Sequence, residues 1–249
     1  MTQSILMPSL VPLSILQPGP SSGNPRSISE QWGRFSAGDD ATQPYGQGMF
    51  DSGNVVADDN GSALVASADG LSFQQTTGVA LGSNALVASA ASGSVPLVAR
   101  PFVVVKFNLN ATTNRRFFAG LSQGSGATMV SADAPATGYV GLQYSTSRGD
   151  ANWQWAQDQN GGGAQVLTNS GVAVDALAHY LILNATTSST IVATITTAAG
   201  VILDQRTLSG ASLPGSTTLL ILSSGLENRT AGTARSVDFF WAEARLRPA

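Results

Sequence analysis

The chain has 249 residues, of which 43% are hydrophobic and only 11% are charged. The hydrophobic share excludes general disorder, and the charged share is roughly half of the usual value for a soluble domain. The formal charge is −3 and Lys106 is the single lysine, so no basic surface is available for phosphates and nucleic acid is not expected as a partner. The absence of cysteine excludes disulfides, thiolate zinc sites and cysteine nucleophiles. The remaining polar residues favour strands and turns over helices.

Residues 1–45 differ from the rest of the chain and are predicted to form an extended N-terminal arm. Pro8, Pro12, Pro18 and Pro20 oppose a helix, and no Lys or Arg precedes Arg26, so neither a signal peptide nor membrane insertion is expected. An extended segment cannot bury its own apolar side chains, so the arm packs either along its own sandwich or on a neighbouring subunit or shell. The residues predicted to make this attachment are Ile5, Leu6, Leu10, Val11, Leu13, Ile15 and Leu16.

From residue 46 onward, short apolar runs alternate with Gly, Asn, Asp and Ser turns at a spacing of roughly 8 to 12 residues. This spacing predicts one all-β domain over residues 46–249, an antiparallel β-sandwich without parallel βαβ units. The Ala-, Ser- and Gly-rich stretch at residues 62–96 is expected to contribute short strands, and residues 190–207 an antiparallel hairpin. The clearest strands are predicted at residues 102–109, 116–121, 139–145, 153–158, 180–185, 190–196, 201–207, 218–222 and 237–246.

Two patterns bear on catalysis. Gly120-Leu121-Ser122-Gln123-Gly124 matches the nucleophile elbow, which needs a helix behind the serine. Glycines follow instead, so no helix is expected, and the only histidine, His179, falls in a predicted strand. Asp238 and Glu243 are five residues apart, and an odd spacing predicts opposite faces of a strand rather than a glycosidase pair. The chain is therefore predicted not to be an enzyme.

Trp153 and Trp155 lie two residues apart and therefore share one face of a strand. They form either a stacking platform for a sugar or part of the core, and core packing is favoured because aromatic side chains gain most from burial. The oxygen-rich segments at residues 58–61 and 158–161 are interpreted as turns, so neither a metal nor a cofactor is predicted. Arg148-Gly149-Asp150, an adhesion tripeptide elsewhere, is interpreted as a hairpin turn.

The order of features from residue 117 onward resembles a known domain. It runs through Phe117-Phe118-Ala119-Gly120-Leu121, Gly138-Tyr139-Val140-Gly141-Leu142-Gln143-Tyr144, Asn152-Trp153, residues 168–174, His179-Tyr180-Leu181, Leu213-Pro214 and Val237-Asp238-Phe239-Phe240-Trp241. This order is similar to the concanavalin-like jelly-roll domain of bacteriophage capsid cement, decoration and tail-spike proteins.

The resemblance implies a trimeric β-sandwich displayed on a virion. The sequence lacks the shaft repeats or heptads of an elongated fibre, which favours a compact, non-enzymatic cement or decoration protein. Such a protein is a homotrimer on the outer capsid surface and binds the major capsid protein. The alternative is a receptor- or carbohydrate-binding domain of a tail spike or fibre that contacts a host-surface glycan, for which Trp153 and Trp155 are the predicted contacts.

Overall fold

The computed structural model describes residues 31–36, 45–48, 62–67, 70–88, 95–124, 126–160 and 165–246, and these form two packed antiparallel sheets. The predicted all-β sandwich is confirmed. Sheet A contains β1 Gln31–Ser36, β2 Tyr45–Gly48, β3 Ser62–Ser67, β4 Gly70–Thr76, β7 Phe102–Asn108, β12 Ala178–Thr187, β13 Thr190–Thr197, β14 Ile202–Ser209 and β16 Ser236–Leu246. Sheet B contains β5 Asn84–Ala88, β6 Val95–Pro96, β8 Arg115–Ser122, β9 Tyr139–Ser145, β10 Asn152–Asp158, β11 Val166–Ala173 and β15 Leu219–Asn228.

Neighbouring strands of sheet A run in the order β14-β13-β12-β7-β16-β1-β2, with β4 and β3 attached beside β16. Sheet B has the order β11-β10-β9-β8-β15-β5, with β6 beside β15. The described helices are a 3₁₀ turn at Leu97–Ala99 and the short helix α1 at Gly126–Ser131, and neither is long and apolar enough to cross a membrane.

β16 organises sheet A because it pairs with β7 along one edge and with β4 and then β1 along the other. The pairing with β1 runs from Gln31 opposite Leu246 to Ser36 opposite Trp241. Residues 31–36 therefore belong to the sandwich, which corrects their assignment to the arm: their backbone completes the open edge of β16. The predicted attachment residues, Ile5 to Leu16, lie outside the described residues.

The hydrophobic core lies between the two sheets and follows the alternation predicted from the sequence. Ile191, Ala193 and Ile195 face it from β13, which forms the predicted hairpin with β14. At its centre, the Trp153 ring lies 5.5 Å from the ring of Phe107 and 5.8 Å from that of Phe117, with edge contacts typical of buried aromatic pairs.

A β-bulge in β16 changes one inference drawn from spacing. Val237 and Phe239 face the core before the bulge, and Ala242 and Ala244 face it afterwards. The register with β7 shifts between Phe239 and Trp241, so the odd–even alternation moves by one residue. The odd–even rule behind the prediction that Asp238 and Glu243 lie on opposite faces therefore does not hold across this part of β16.

Candidate functional site

The face of sheet B that points away from the core carries the main concentration of polar side chains among the described residues. Strand register places Glu227, Arg116 and Ser145 in one row across β15, β8 and β9. The next row is Phe118, Gln143, Gln154 and Asn169 across β8 to β11. This outer face is where the candidate site lies.

Helix α1 covers the β8 and β15 half of this face. Met129 and Val130 of α1 are buried in a second apolar cluster that also contains Leu86, Phe118 and Tyr139. We call this cluster the outer layer. A six-residue helix is too short to be stable alone, so its packing on the sheet holds it. The prediction that no helix follows Ser122 is therefore wrong, because tertiary packing overrides the glycine-rich local sequence.

Two adjacent glycines let Phe118 of the outer layer lie close to the sheet. Gly120 on β8 and Gly141 on β9 are register partners. A Cβ atom built on Gly141 would lie 2.3 Å from the Ala119 carbonyl oxygen and 3.0 Å from a ring carbon of Phe118. Side chains at these two positions would collide first with the backbone of the facing strand and then with the Phe118 ring, so the glycines are needed for β8 and β9 to pair closely beneath that ring.

Arg116 links two carboxylates beneath the end of α1. Its Nε donates to Asp133 Oδ1 at 2.8 Å and its Nη1 donates to Glu227 Oε2 at 2.6 Å. The same guanidinium donates to the Val130 carbonyl oxygen of α1 and to the Ser147 hydroxyl. Its side chain is only 7% exposed, so this buried cation is satisfied by charge-assisted hydrogen bonds. The network ties α1 and the following loop to the sheet.

The carboxyl group of Asp133 is held in its ionised form. Partial burial acts to raise its pKa, but hydrogen bonds from Ser145 and Arg116, together with the charges of Arg116 and Arg148, outweigh burial and bring the pKa below its ordinary value. Its side chain remains 34% exposed. Asp133 therefore presents a negative charge at the edge of the region that α1 covers.

The charged side chains of the Arg148-Gly149-Asp150 turn bond to each other and to the adjoining strand. Arg148 Nη2 lies 2.6 Å from Asp150 Oδ2, and the same carboxylate oxygen accepts a hydrogen bond from the Ser145 amide. Gly149 has a φ of +80°, which suits glycine in a tight connection between β9 and β10. Both charged side chains serve the hairpin, as the turn interpretation predicted.

Beyond the buried residues of β9, the β10 and β11 side of the face carries an amide cluster formed by Gln143, Asn152, Gln154, Gln165 and Asn169, in which Gln143 is itself buried. Gln165 Nε2 donates to Gln143 Oε1 at 3.1 Å, and Asn152 Nδ2 donates to Asn169 Oδ1 at 3.1 Å. Among the described residues, Gln154 Oε1 and Asn169 Nδ2 have no hydrogen-bond partner, although Gln154 Nε2 bonds the Asn152 carbonyl oxygen. Asn169 is exposed and Gln154 is half-buried. The cluster offers both donors and acceptors to a ligand.

No pattern in the sequence predicted this cluster. Gln143 and Gln154 lie in strands that were predicted, and the period of two places them opposite the core-facing residues. Their meeting depends on the β9–β10 register, in which Gln154 lies opposite Gln143. Strand alternation alone assigns a face to each residue, and it does not say which residues of different strands become neighbours.

Trp153 and Trp155 face the core, where they are 0% and 1% exposed. Trp155 Nε1 donates to Asp204 Oδ2 at 2.8 Å, which ties sheet B to β14 of sheet A. Both tryptophans lie on the same face, as predicted. That face is the core-facing one, so they are part of the core and do not form a stacking platform. Neither indole leaves a surface on which a sugar ring can stack, so the structure contradicts their assignment as carbohydrate contacts.

Ser122 and His179 lie on different sides of sheet B. Ser122 is fully buried on the outer face, where its hydroxyl bonds the Gly124 carbonyl oxygen and the Ser223 hydroxyl. His179 faces the core from β12, and its ring nitrogens contact the Thr196 carbonyl oxygen and Asp175 Oδ1. The two side chains do not form a nucleophile–base pair.

The structure indicates turn chemistry at residues 158–160, since the Asn160 amide donates to Asp158 Oδ1 at 3.0 Å. Within the described part of the chain, no three His, Asp or Glu side chains are grouped so as to hold a metal ion. The other oxygen-rich segment, residues 58–61, lies outside the described residues.

No family model matches the sequence, and no curated protein matches it. Solved structures with a similar fold exist. A protein of unknown function from Shewanella oneidensis MR-1 has a TM-score of 0.65 at 12% identity, over 98% of this chain and 95% of its own. A glycoside hydrolase family 16 endo-glucanase from Bacteroides ovatus has a TM-score of 0.51 at 13% identity, over 85% of this chain and 93% of its own. A carbohydrate esterase from the Shiga toxin-encoding bacteriophage phi24B has a TM-score of 0.50 at 13% identity, over 86% of this chain and 97% of its own.

These similarities establish a concanavalin-like jelly-roll fold, as the resemblance implied. They contradict the prediction that the chain is not an enzyme, because a glycoside hydrolase and a carbohydrate esterase share the architecture. The prediction equated the lack of a recognisable motif with the lack of activity. Because the same sandwich supports carbohydrate chemistry in other proteins, the lack of a recognisable motif is no reason to exclude activity.

Proposed function

We propose that this protein recognises a host-surface glycan through the amide cluster on the β10 and β11 side of sheet B. The observation that carries the proposal is the register pair Gln154 and Asn169 on neighbouring strands, in which the Gln154 amide oxygen and the Asn169 amide nitrogen have no hydrogen-bond partner among the described residues. Planar amides of this kind match sugar hydroxyls, which both donate and accept hydrogen bonds.

The surroundings of the cluster support a hydrogen-bonded ligand. Gln143 is held by Gln165 and by Arg148, so the cluster has a fixed base on the sheet. Sites on strands are held more precisely than sites on loops. Since Trp153 and Trp155 are enclosed in the core, recognition here relies on amides rather than on ring stacking.

The proposed setting is the outer surface of a bacteriophage particle, where the protein forms a homotrimer that binds the major capsid protein or belongs to a tail spike. A site built from a few hydrogen bonds is weak alone, and three copies on one particle raise the effective affinity. The fold shared with a phage carbohydrate esterase supports this setting. Light scattering gives the number of subunits, and immunogold labelling of particles gives the location.

Binding is tested on an array of bacterial surface polysaccharides with the purified protein. The double variant Gln154→Ala/Asn169→Ala is expected to bind at least about tenfold more weakly than the unchanged protein, because about 1.4 kcal/mol of lost hydrogen bonding corresponds to a factor of ten. The same incubations are followed for released reducing ends and acetate, which measures cleavage and deacetylation together with binding.

The matched control is Gln205→Ala. Gln205 is an exposed amide on β14 of sheet A, where its Nε2 donates to the Thr194 hydroxyl. This variant should bind as tightly as the unchanged protein. Equal binding by the double variant and the unchanged protein would place the glycan site elsewhere, and no binding to any polysaccharide would refute the proposal.

A further inference from the structure

We propose that the site on sheet B takes an uncharged polysaccharide and rejects an acidic one, an inference that rests on the proposed glycan function. The reason is an asymmetry of charge beside the amide cluster. The Asp133 side chain is 34% exposed there, whereas the side chains of Arg116 and Arg148 are 7% and 19% exposed.

The cations of this face are committed to internal partners. The Arg116 side chain is 7% exposed and donates to Asp133 and Glu227. The Arg148 side chain is 19% exposed and donates to Asp150, to the Asp133 carbonyl oxygen and to Gln143 Oε1. Arg229 pairs with Glu227 beyond the end of β15. β15 is three strand spacings from β10, roughly 14 Å.

Asp133 is connected directly to the cluster. Its carbonyl oxygen accepts a hydrogen bond from Gln165 Nε2 at 3.0 Å, and the same nitrogen donates to Gln143 Oε1. One of its carboxylate oxygens, Oδ1, accepts from Arg116 and Ser145, while Oδ2 accepts only from Ser147 among the described residues. The lowered pKa of this carboxyl agrees with a charge that persists at neutral pH.

A uronic or sialic acid placed on the cluster would bring its carboxylate towards Asp133, where the guanidinium groups of Arg116 and Arg148 are already occupied by internal partners. Like charges at short range repel, and this repulsion weakens as salt rises because the screening length is about 10 Å at 0.1 M. The discrimination should therefore depend on ionic strength, whereas a preference based on shape alone would not.

The experiment compares acidic bacterial polysaccharides on one array, each printed in its native form and after chemical reduction of its carboxyl groups to alcohols. The unchanged protein should bind the reduced form at least about tenfold more tightly in low salt, and the ratio should fall as salt rises from about 0.02 M to 0.5 M. Binding to the native form that equals or exceeds binding to the reduced form would overturn the inference.

Two variants test the role of Asp133 directly. Asp133→Asn should narrow the ratio between the two forms, and Ser147→Asp, which adds a carboxylate at an exposed neighbouring position, should widen it. The salt series on the unchanged protein keeps the inference testable if Asp133→Asn does not fold. An unchanged ratio between the two forms in folded Asp133→Asn would also refute the charge inference.

If the native form binds well and Gln154→Ala/Asn169→Ala abolishes that binding, the charge inference is wrong and the proposed function stands. If neither form binds, the proposed function fails as well.

Discussion

Sheet B is covered on one side by the hydrophobic core and on the other by the outer layer with its ion pairs, and the two coverings differ in how they are held. The core joins side chains from both sheets through apolar contact around Trp153. The outer layer joins a few apolar side chains to one six-residue helix, and Arg116 fixes that helix through Asp133, Glu227 and the Val130 carbonyl oxygen. Apolar burial is non-directional, whereas the ion pairs work only in one geometry.

This difference indicates separate tasks for the two coverings. The core specifies the sandwich, which recurs in proteins with only about one residue in eight identical to this chain. The outer layer decides how much of the exterior face is covered, and the proposed ligand site lies beside it on β10 and β11. Changes to the core should therefore affect global stability, and changes to the outer layer should affect the site as well.

The largest effect is expected from Trp153→Ala in the core. The ring is fully buried and contacts the rings of Phe107, Phe117 and Tyr144. Its removal should lower the free energy of unfolding by about 3–5 kcal/mol, measured by chemical denaturation. Leu177→Ala, at a side chain that is 65% exposed, is the control and should change stability by less than about 0.5 kcal/mol. A loss below about 1 kcal/mol for Trp153→Ala would mean that the core is not centred on this ring.

A smaller loss is expected from Arg116→Ala in the outer layer. The variant leaves Glu227 buried without this partner, which costs several kcal/mol in a fully buried pair, but the partial exposure of Asp133 moderates the loss to about 2–3 kcal/mol. Glycan binding should fall together with stability. The control is Arg206→Ala, since the Arg206 side chain is 48% exposed and its partner Asp204 keeps the hydrogen bond from Trp155, so the loss should be at most about 0.5 kcal/mol. Adding Glu227→Gln to Arg116→Ala should restore part of the loss, and no recovery would contradict this account.

The smallest effect concerns pH. The folded pKa of Asp133 lies below its unfolded value, which is about 3.9, so the ionised group stabilises the fold above that pH. This contribution is lost as the pH falls through the folded pKa. Melting temperatures measured from about pH 6 to about pH 3 should therefore drop less in Asp133→Asn than in the unchanged protein. Parallel curves for the two proteins would show that this carboxylate does not contribute to acid sensitivity.

The sequence predicted the core better than the outer layer, for physical reasons. Alternating apolar residues define strands such as β9, whose predicted bounds are the observed ones, Tyr139–Ser145. Helix α1 could not be found in this way, because its residues become helical only through contacts with Leu86 and Phe118, distant in sequence. The bulge in β16 and the meeting of Gln143 with Gln154 likewise depend on pairing between strands. A local sequence pattern shows where a strand runs and which of its residues share a face. It does not show which residues of two strands lie opposite each other.

The central place of β16 has a consequence for the order of folding during synthesis. It is the sixteenth described strand, yet it lies between β7 on one edge and β4 and β1 on the other. β7, β4 and β1 each have one edge that pairs with β16. Until the ribosome has released residues 236–246, those edges have no partner. Strands left unpaired in this way associate readily with other chains. The nascent protein is therefore expected to need protection by a chaperone until residues 236–246 can pair, and its folding should be limited by this distant pairing.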